Sequence, residues 1–287
     1  MREQIKNIVY EEFSKLMSSI ETDFKINYTR KVNNFLLSQM DAQITANMVF
    51  VSSFESKSGF AIETCAKRIA RLRFGEENVP AIVNPRNLKH NIDPNTVSNQ
   101  IVVTDVDTNN GNLRGKIAAF RANNTAKGRG HNRTESNVTQ ENIQKYLLPL
   151  SDEFKTSKIY SKPVDLAFFD GKIWNICELK AGGDLDSSNA PSNVEKLLTI
   201  YVDMGIKNCR AYFATLYNKD GEGNVWKGAV KKHLNYPSMF LIGSVLWNKI
   251  LPIEISFNEF TLIYKEALEK IGLNEKIRIM IKRCLEV

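Results

Sequence analysis

At 287 residues, with 43% hydrophobic and 25% charged side chains, the chain is long enough to bury a sizeable core in one or two domains, and its composition excludes disorder as the default. A formal charge of +7 and a pI near 9.1 favour a polyanionic partner, although charge alone does not separate nucleic acid from a membrane or an acidic protein. No apolar run reaches the ~18 residues of a membrane span, and Met1-Arg2-Glu3-Gln4 leads into an amphipathic stretch rather than a secretory signal.

Residues 4 to 20 place Ile5, Val9, Phe13, Leu16 and Ile20 at helical spacing, and a second helix is predicted from about Tyr28 to Met40. Residues 1–48 are thus read as a helical N-terminal region that packs on a sheet, or else forms a subdomain or dimer surface. The serine-rich segment 52–58 leads into a helix predicted from Gly59 to about Arg73, with Ser58 as its N-cap and Glu63 one turn before Lys67.

From Asn84 to Thr134 the composition shifts to Asn, Thr, Gly and basic residues, interrupted by the strand-like run Ile101–Asp107, and the segment reads as an insertion. Asp105, Asp107, Asn109 and Gly111 alternate oxygens like a calcium loop, but Asn110 and Lys116 stand where that loop needs glycine and glutamate. Asp105 and Asp107 are therefore placed on a solvent face, with the orienting of DNA-binding arginines as the alternative. Between Gly111 and Thr134 there are six basic residues and no acid. Arg114, Lys116, Arg121, Lys127, Arg129 and Arg133, interleaved with Asn123, Asn124 and His131, suit phosphate neutralisation and paired hydrogen bonds to base edges. In isolation such a run is a solvated loop; a phosphate-hydrolysing site elsewhere in the chain would make it a DNA-contacting segment.

The stretch from Pro163 to Lys180 carries the chemistry. Apolar runs flank Asp170-Gly171, the dipeptide that best tolerates the positive φ angles of a type I′ hairpin turn. A two-residue loop sets Phe169 opposite Lys172 and Asp165 opposite Ile176, leaving Glu178 diagonal to Asp165. Alternation then puts Asp165, Glu178 and Lys180 on one face with Trp174, Ile176 and Ala167, and Val164, Leu166, Phe168, Ile173, Cys177 and Leu179 on the other. Two carboxylates about 7–8 Å apart between backbones repel each other unless a cation lies between them. Oxygen ligands with open positions suit magnesium or manganese, whereas zinc asks for histidine or cysteine. Acid-x-lysine recurs at Asp23, Glu55, Glu153 and Asp170, but the Glu178 copy alone closes an apolar β-run with an upstream acid on its face. The alternative is a solvated strand end with Lys180 pairing Glu178.

Beyond the hairpin, Gly182-Gly183 breaks the strand. Pro191 opens a helix with Val194, Leu197, Leu198 and Val202, and Cys209–Tyr217 reads as a further strand, giving a parallel crossover. Ser256 with Glu259 forms a capping box for a C-terminal helix. Cys65, Cys177, Cys209 and Cys284 form no CxxC pair, and His90, His131 and His233 are scattered, so reduced thiols and no zinc site are expected.

With Pro163, Asp165, Glu178 and Lys180 so placed, the sequence resembles the PD-(D/E)XK nuclease superfamily, although Val164 interrupts the usual Pro-Asp pair, and within it the type II restriction endonucleases. Through Ala181-Gly182-Gly183-Asp184-Leu185-Asp186 it is similar to the TdeIII-like group, whose members cut GGNCC. The resemblance implies an α/β fold: a restriction-endonuclease-like core of a mixed β-sheet flanked by helices, in one nuclease domain over 1–287 with its catalytic core at 159–217. It implies Asp165 and Glu178 as carboxylate ligands of Mg2+, with Mn2+ as a substitute, the Leu179 carbonyl as a further ligand, Lys180 positioning the attacking water, and Glu63 as an additional acid near the site. It further implies sequence-specific cleavage of double-stranded DNA, leaving 5′-phosphate and 3′-hydroxyl ends, and the reduced cysteines add the expectation of a cytoplasmic location. A palindromic target is met most simply by a homodimer. Two rival readings are a DNA-repair nickase or junction-resolving nuclease of the same fold, and a non-catalytic DNA-binding regulator.

Overall fold

Helical periodicity with no interior glycine or proline lets the first segment run on: in the computed structural model, which describes residues 1–128, 134–182 and 185–286, helix α1 spans Arg2–Val32. Phe24 extends the buried stripe of Ile5, Val9, Phe13, Leu16 and Ile20, so one helix replaces the first of the two expected, and turns occupy residues 33–40 where the second was expected to continue. Helix α2 runs unbroken over Ala42–Phe74, which overturns Ser58 as an N-cap. A helix-interior glycine costs about 1 kcal/mol relative to alanine. Burial of Val49, Ala61, Cys65 and Ile69 along α2 outweighs that cost at Gly59.

The chain divides into two compact units, Met1–Ile69 with Leu251–Val287, and Ala70–Ile250. In the first, α1 packs on α8 (Phe257–Ile271) and α9 (Leu273–Leu285), with Phe13 edge-on to Tyr264 at 5.2 Å. Arg2 and Lys6 both pair with Glu266, and Arg68 reaches Glu11 and Glu12 at 2.8 Å. The expected cap of α8 is present, Ser256 accepting from the Glu259 N–H at 3.2 Å. Ser256→Ala is accordingly expected to lower unfolding free energy by about 1 kcal/mol in urea titrations; an unchanged midpoint would show the cap idle.

The second unit holds two mixed sheets flanked by helices, the α/β architecture expected. In one, β1 (Ile82–Val83) runs parallel to β2 (Ile101–Val106), and β2 antiparallel to β3 (Lys155–Pro163). In the other, β4 (Leu166–Phe169) is antiparallel to β5 (Trp174–Lys180), followed by parallel β6 (Cys209–Thr215) and β7 (Phe240–Ile242). Strand β3 leads into β4 across a break at Val164-Asp165. Gln100 spans that break: its carbonyl accepts from the Val164 N–H, and its side-chain amide exchanges two 2.9 Å bonds with the Ala167 backbone. Part of β4's open edge is thereby satisfied.

Helix α6 (Ala190–Met204), opened by Pro191 and ended by Gly205 at φ +57°, provides the parallel crossover from β5 to β6. Its Val194, Leu197, Leu198 and Tyr201 join Ala167, Ile176, Ala211 and Phe213 in one core. Helix α7 (Ser244–Ile250) buries Trp247, whose Nε1 donates to the Leu216 carbonyl.

The hairpin differs from expectation by two residues. Pairs Leu166–Cys177 through Phe169–Trp174 leave a four-residue loop, 170–173. Asp170 explains the longer loop: one carboxylate oxygen accepts from the Lys172 and Ile173 N–H groups, and the other from the Asn175 side chain. A slip of two keeps every side chain on its predicted face.

Within 84–134, β2 is buried and helix α3 (Gly111–Asn124), capped by Asn110, sends Leu113 and Ile117 into the core, joined by Ile143 of α4 (Gln140–Tyr146) and Leu150 of α5 (Leu148–Glu153). The solvent face proposed for Asp105 is corrected. Asp105 is 4% exposed and pairs with Arg86 and with Lys155. Nearby, Asp203 on α6 is fully buried, and neither of its oxygens has a well-formed hydrogen bond. Burial pushes its pKa up to about 7, against the opposing pull of Lys162, Thr108, Thr104 and Arg86. A carboxyl whose folded value exceeds its unfolded value of about 3.9 contributes most below that value, and the contribution is lost as pH rises through the folded one. Asp203→Asn should therefore gain on the wild type by about 2 kcal/mol in unfolding free energy between pH 5 and pH 8. A difference constant across that range would remove the buried acid from the account.

Candidate active site

The break between β3 and β4 is where the charged side chains gather. Asp165 lies past the last β2–β3 pair, Ile101–Pro163, just before β4 begins, and extending the β4–β5 register by one residue sets it directly opposite Glu178 rather than diagonal to it. Its Oδ2 accepts from the Leu179 N–H at 2.9 Å, so the carboxylate itself prolongs the ladder. Glu178 lies on β5, between β4 and β6, and is 1% exposed. Lys180 follows on the same face, its ammonium 2.6 Å from Glu178 Oε1.

A fourth charge was missed by sequence reasoning. Lys196 of α6 places its Nζ 3.0 Å from Asp165 Oδ1 and 2.7 Å from Glu178 Oε2, an atom otherwise without a well-aligned hydrogen bond. The available signal was its position, since Lys196 is the one basic residue of the helix that follows the motif. Two acids and two lysines thus form a charge-balanced cluster. Burial, reinforced by the negative charge of Asp165, raises the Glu178 pKa against the pull of Lys180 and Lys196. The Lys196 pKa is raised as well: burial opposes, but the hydrogen bond and charge of Glu178 and the charge of Asp165 prevail. Both lysines keep open flanks, with side chains 27% and 41% exposed.

Oxygen donors define what the site can hold. Among the described residues no three His, Cys, Asp or Glu side chains cluster for a metal ion. Two carboxylates, one with a buried oxygen lacking an aligned hydrogen bond, fit magnesium, which binds through one or two carboxylates and retains several waters. Beyond the hairpin, a Cβ at Gly182 would meet the tip of the exposed Tyr217 ring, which would have to swing aside. Gly183 and Asp184 of the same segment lie outside the described residues.

The other predicted residues are dispersed. Glu63 is mid-helix in α2 and belongs to the helical unit, not to the unit carrying the hairpin. Arg114 bonds the Thr108 carbonyl and Asn109, Lys116 pairs with Glu153, and Arg121 pairs with Glu195 at 2.7 Å. The Asn124 side chain bonds the Phe120 carbonyl, while Asn123 and Lys127 are exposed. Arg129, His131 and Arg133 lie outside the described residues. Cys65, Cys177 and Cys209 are buried free thiols. No helix among the described residues is long and apolar enough to cross a membrane.

A mixed-sheet α/β unit with two acids and a lysine converging at a strand break has the architecture of a restriction-endonuclease-like hydrolase. The family described as type II restriction endonuclease, HinfI, matches residues 1–268, and the chain belongs to that family of site-specific, DNA-hydrolysing enzymes. Its substrate is double-stranded DNA. Searches of curated proteins and of solved structures gave no match.

Proposed function

We propose that the protein is a magnesium-dependent type II endonuclease that hydrolyses both strands of DNA at a short palindromic site, with Asp165 and Glu178 as metal ligands and Lys180 as the group that aims the attacking water. The observation that carries this reading is the convergence of Asp165, Glu178 and Lys180 at the β3–β4 break. Magnesium, or manganese in its place, would polarise the scissile phosphate and lower the pKa of a bound water. Asp165 and Glu178 would hold it through carboxylate oxygens and Leu179 through its carbonyl. The Lys180 ammonium, already partly exposed beside Glu178, would donate to the water and orient its lone pair for in-line attack. Two copies related by a two-fold axis would present one site to each strand. Lys127 and Asn123, both exposed, would reach DNA directly, whereas Arg114, Lys116 and Arg121 would exchange protein contacts for phosphates or bases. The free thiols suit a reducing cytoplasm.

The test is to incubate purified protein with sequenced plasmid, with and without Mg2+, and to map the ends. Discrete fragments ending in 5′-phosphate at one palindrome, absent without metal, are expected; GGNCC is the particular motif that the Ala181–Asp186 segment implies. A single recurrent nick would favour the nickase reading, and no cleavage with tight binding would favour a regulator.

A further inference from the structure

We propose that Lys196 is the internal counter-ion of the metal-free active site, held between Asp165 and Glu178 until a divalent cation displaces it. The inference rests on the metal reading above and adds a residue and a competition to it. Geometry is its basis: one ammonium lies 3.0 Å from Asp165 and 2.7 Å from Glu178, bridging the two carboxylates that would bind the metal. Lys180 already occupies the other oxygen of Glu178.

A carboxylate 1% exposed is costly to leave charged without a partner, and a second acid directly across the strand pair compounds the cost. An ammonium between them relieves both effects while the metal is away. Its reach comes from α6, whose Val194, Leu197 and Leu198 are fixed in the core, so the stem starts from a rigid support. The side chain itself is 41% exposed and flexible enough to swing outward. A metal ion and the ammonium require the same oxygens. Binding of one therefore excludes the present contacts of the other, and Lys196 weakens metal affinity while protecting the metal-free fold. Released, the ammonium stands beside the metal site, where a phosphate oxygen can take it up.

The experiment titrates Mn2+ alone into wild type, Lys196→Met, Lys196→Arg and Glu178→Gln, counting free Mn2+ by electron paramagnetic resonance and recording thermal unfolding. Lys196→Met is expected to bind Mn2+ about tenfold tighter and to unfold at lower temperature without metal, the deficit closing at saturating Mn2+. Lys196→Arg should restore wild-type behaviour, and Glu178→Gln should lose binding. In the wild type, acylation of the Lys196 amine, read by mass spectrometry, should rise several-fold on adding Mn2+. Should Lys196→Met fail to fold without metal, Mn2+ must rescue it; failure to rescue overturns the proposal. Wild-type binding that Lys196→Met leaves equal or weakens overturns it while sparing the metal reading. Absence of Mn2+ binding in wild type and Lys196→Met alike would overturn both.

Discussion

Glu178→Gln is expected to abolish cleavage by at least about a thousandfold in kcat, the scale of several kcal/mol that a Lewis-acidic metal contributes to a phosphoryl transition state. The substitution keeps shape and removes one charge, and DNA binding without metal should be no weaker, because a negative group facing phosphate disappears. Glutamine must fit between two ammonium groups at a position 1% exposed, so a loss of about 1–3 kcal/mol in stability is also expected. Rates are therefore compared on protein shown by circular dichroism to be folded. A folded Glu178→Gln enzyme that cuts within tenfold of wild type would remove the carboxylate from the reaction.

Lys180→Ala is the second large effect. Loss of a positioned proton donor or water-orienting group costs typically about 10²–10⁴ in rate, and kcat should fall in that range while Mn2+ binding persists, because Asp165 and Glu178 remain. Lys196 stays within 2.7 Å of Glu178, so the buried acid keeps a partner and the fold is expected to hold. A supporting role would instead show as lost stability or lost metal affinity with kcat preserved, and that result would reassign Lys180. A Lys180→Ala enzyme equal to wild type in DNA-dependent function would favour the regulator reading.

The grouping of Asp165, Glu178 and Lys180 was legible in the sequence because it depends on parity. Asp165, Glu178 and Lys180 share a face in either register, so a loop misjudged by two residues did no harm to the grouping, although the separation it implied was too large. The loop itself was illegible because its length is set by the Asp170 side chain bonding two N–H groups, a contact that competes with the type I′ turn Asp-Gly favours. Helix boundaries failed at Ser58 and near Tyr28 for the opposite reason: local capping signals are worth about 1 kcal/mol each, and tertiary burial of long apolar stripes exceeds them. Asp105 was misplaced because a strand in the middle of a three-stranded sheet buries residues that its own pattern does not mark as interior. Lys196 went unseen because its partners are 31 and 18 residues away, joined by a helix packing that spacing does not encode. The basic segment was read as composition alone, yet α3 gives Arg121 and Lys116 acidic partners within the same chain, Glu195 and Glu153.

The most direct test is the anomalous scattering of a crystal soaked in Mn2+ without DNA. One peak should lie about 2 Å from carboxylate oxygens of both Asp165 and Glu178, with the Lys196 ammonium withdrawn from them. A peak elsewhere in the molecule, or Lys196 still seated between the two acids at saturating Mn2+, would contradict the account.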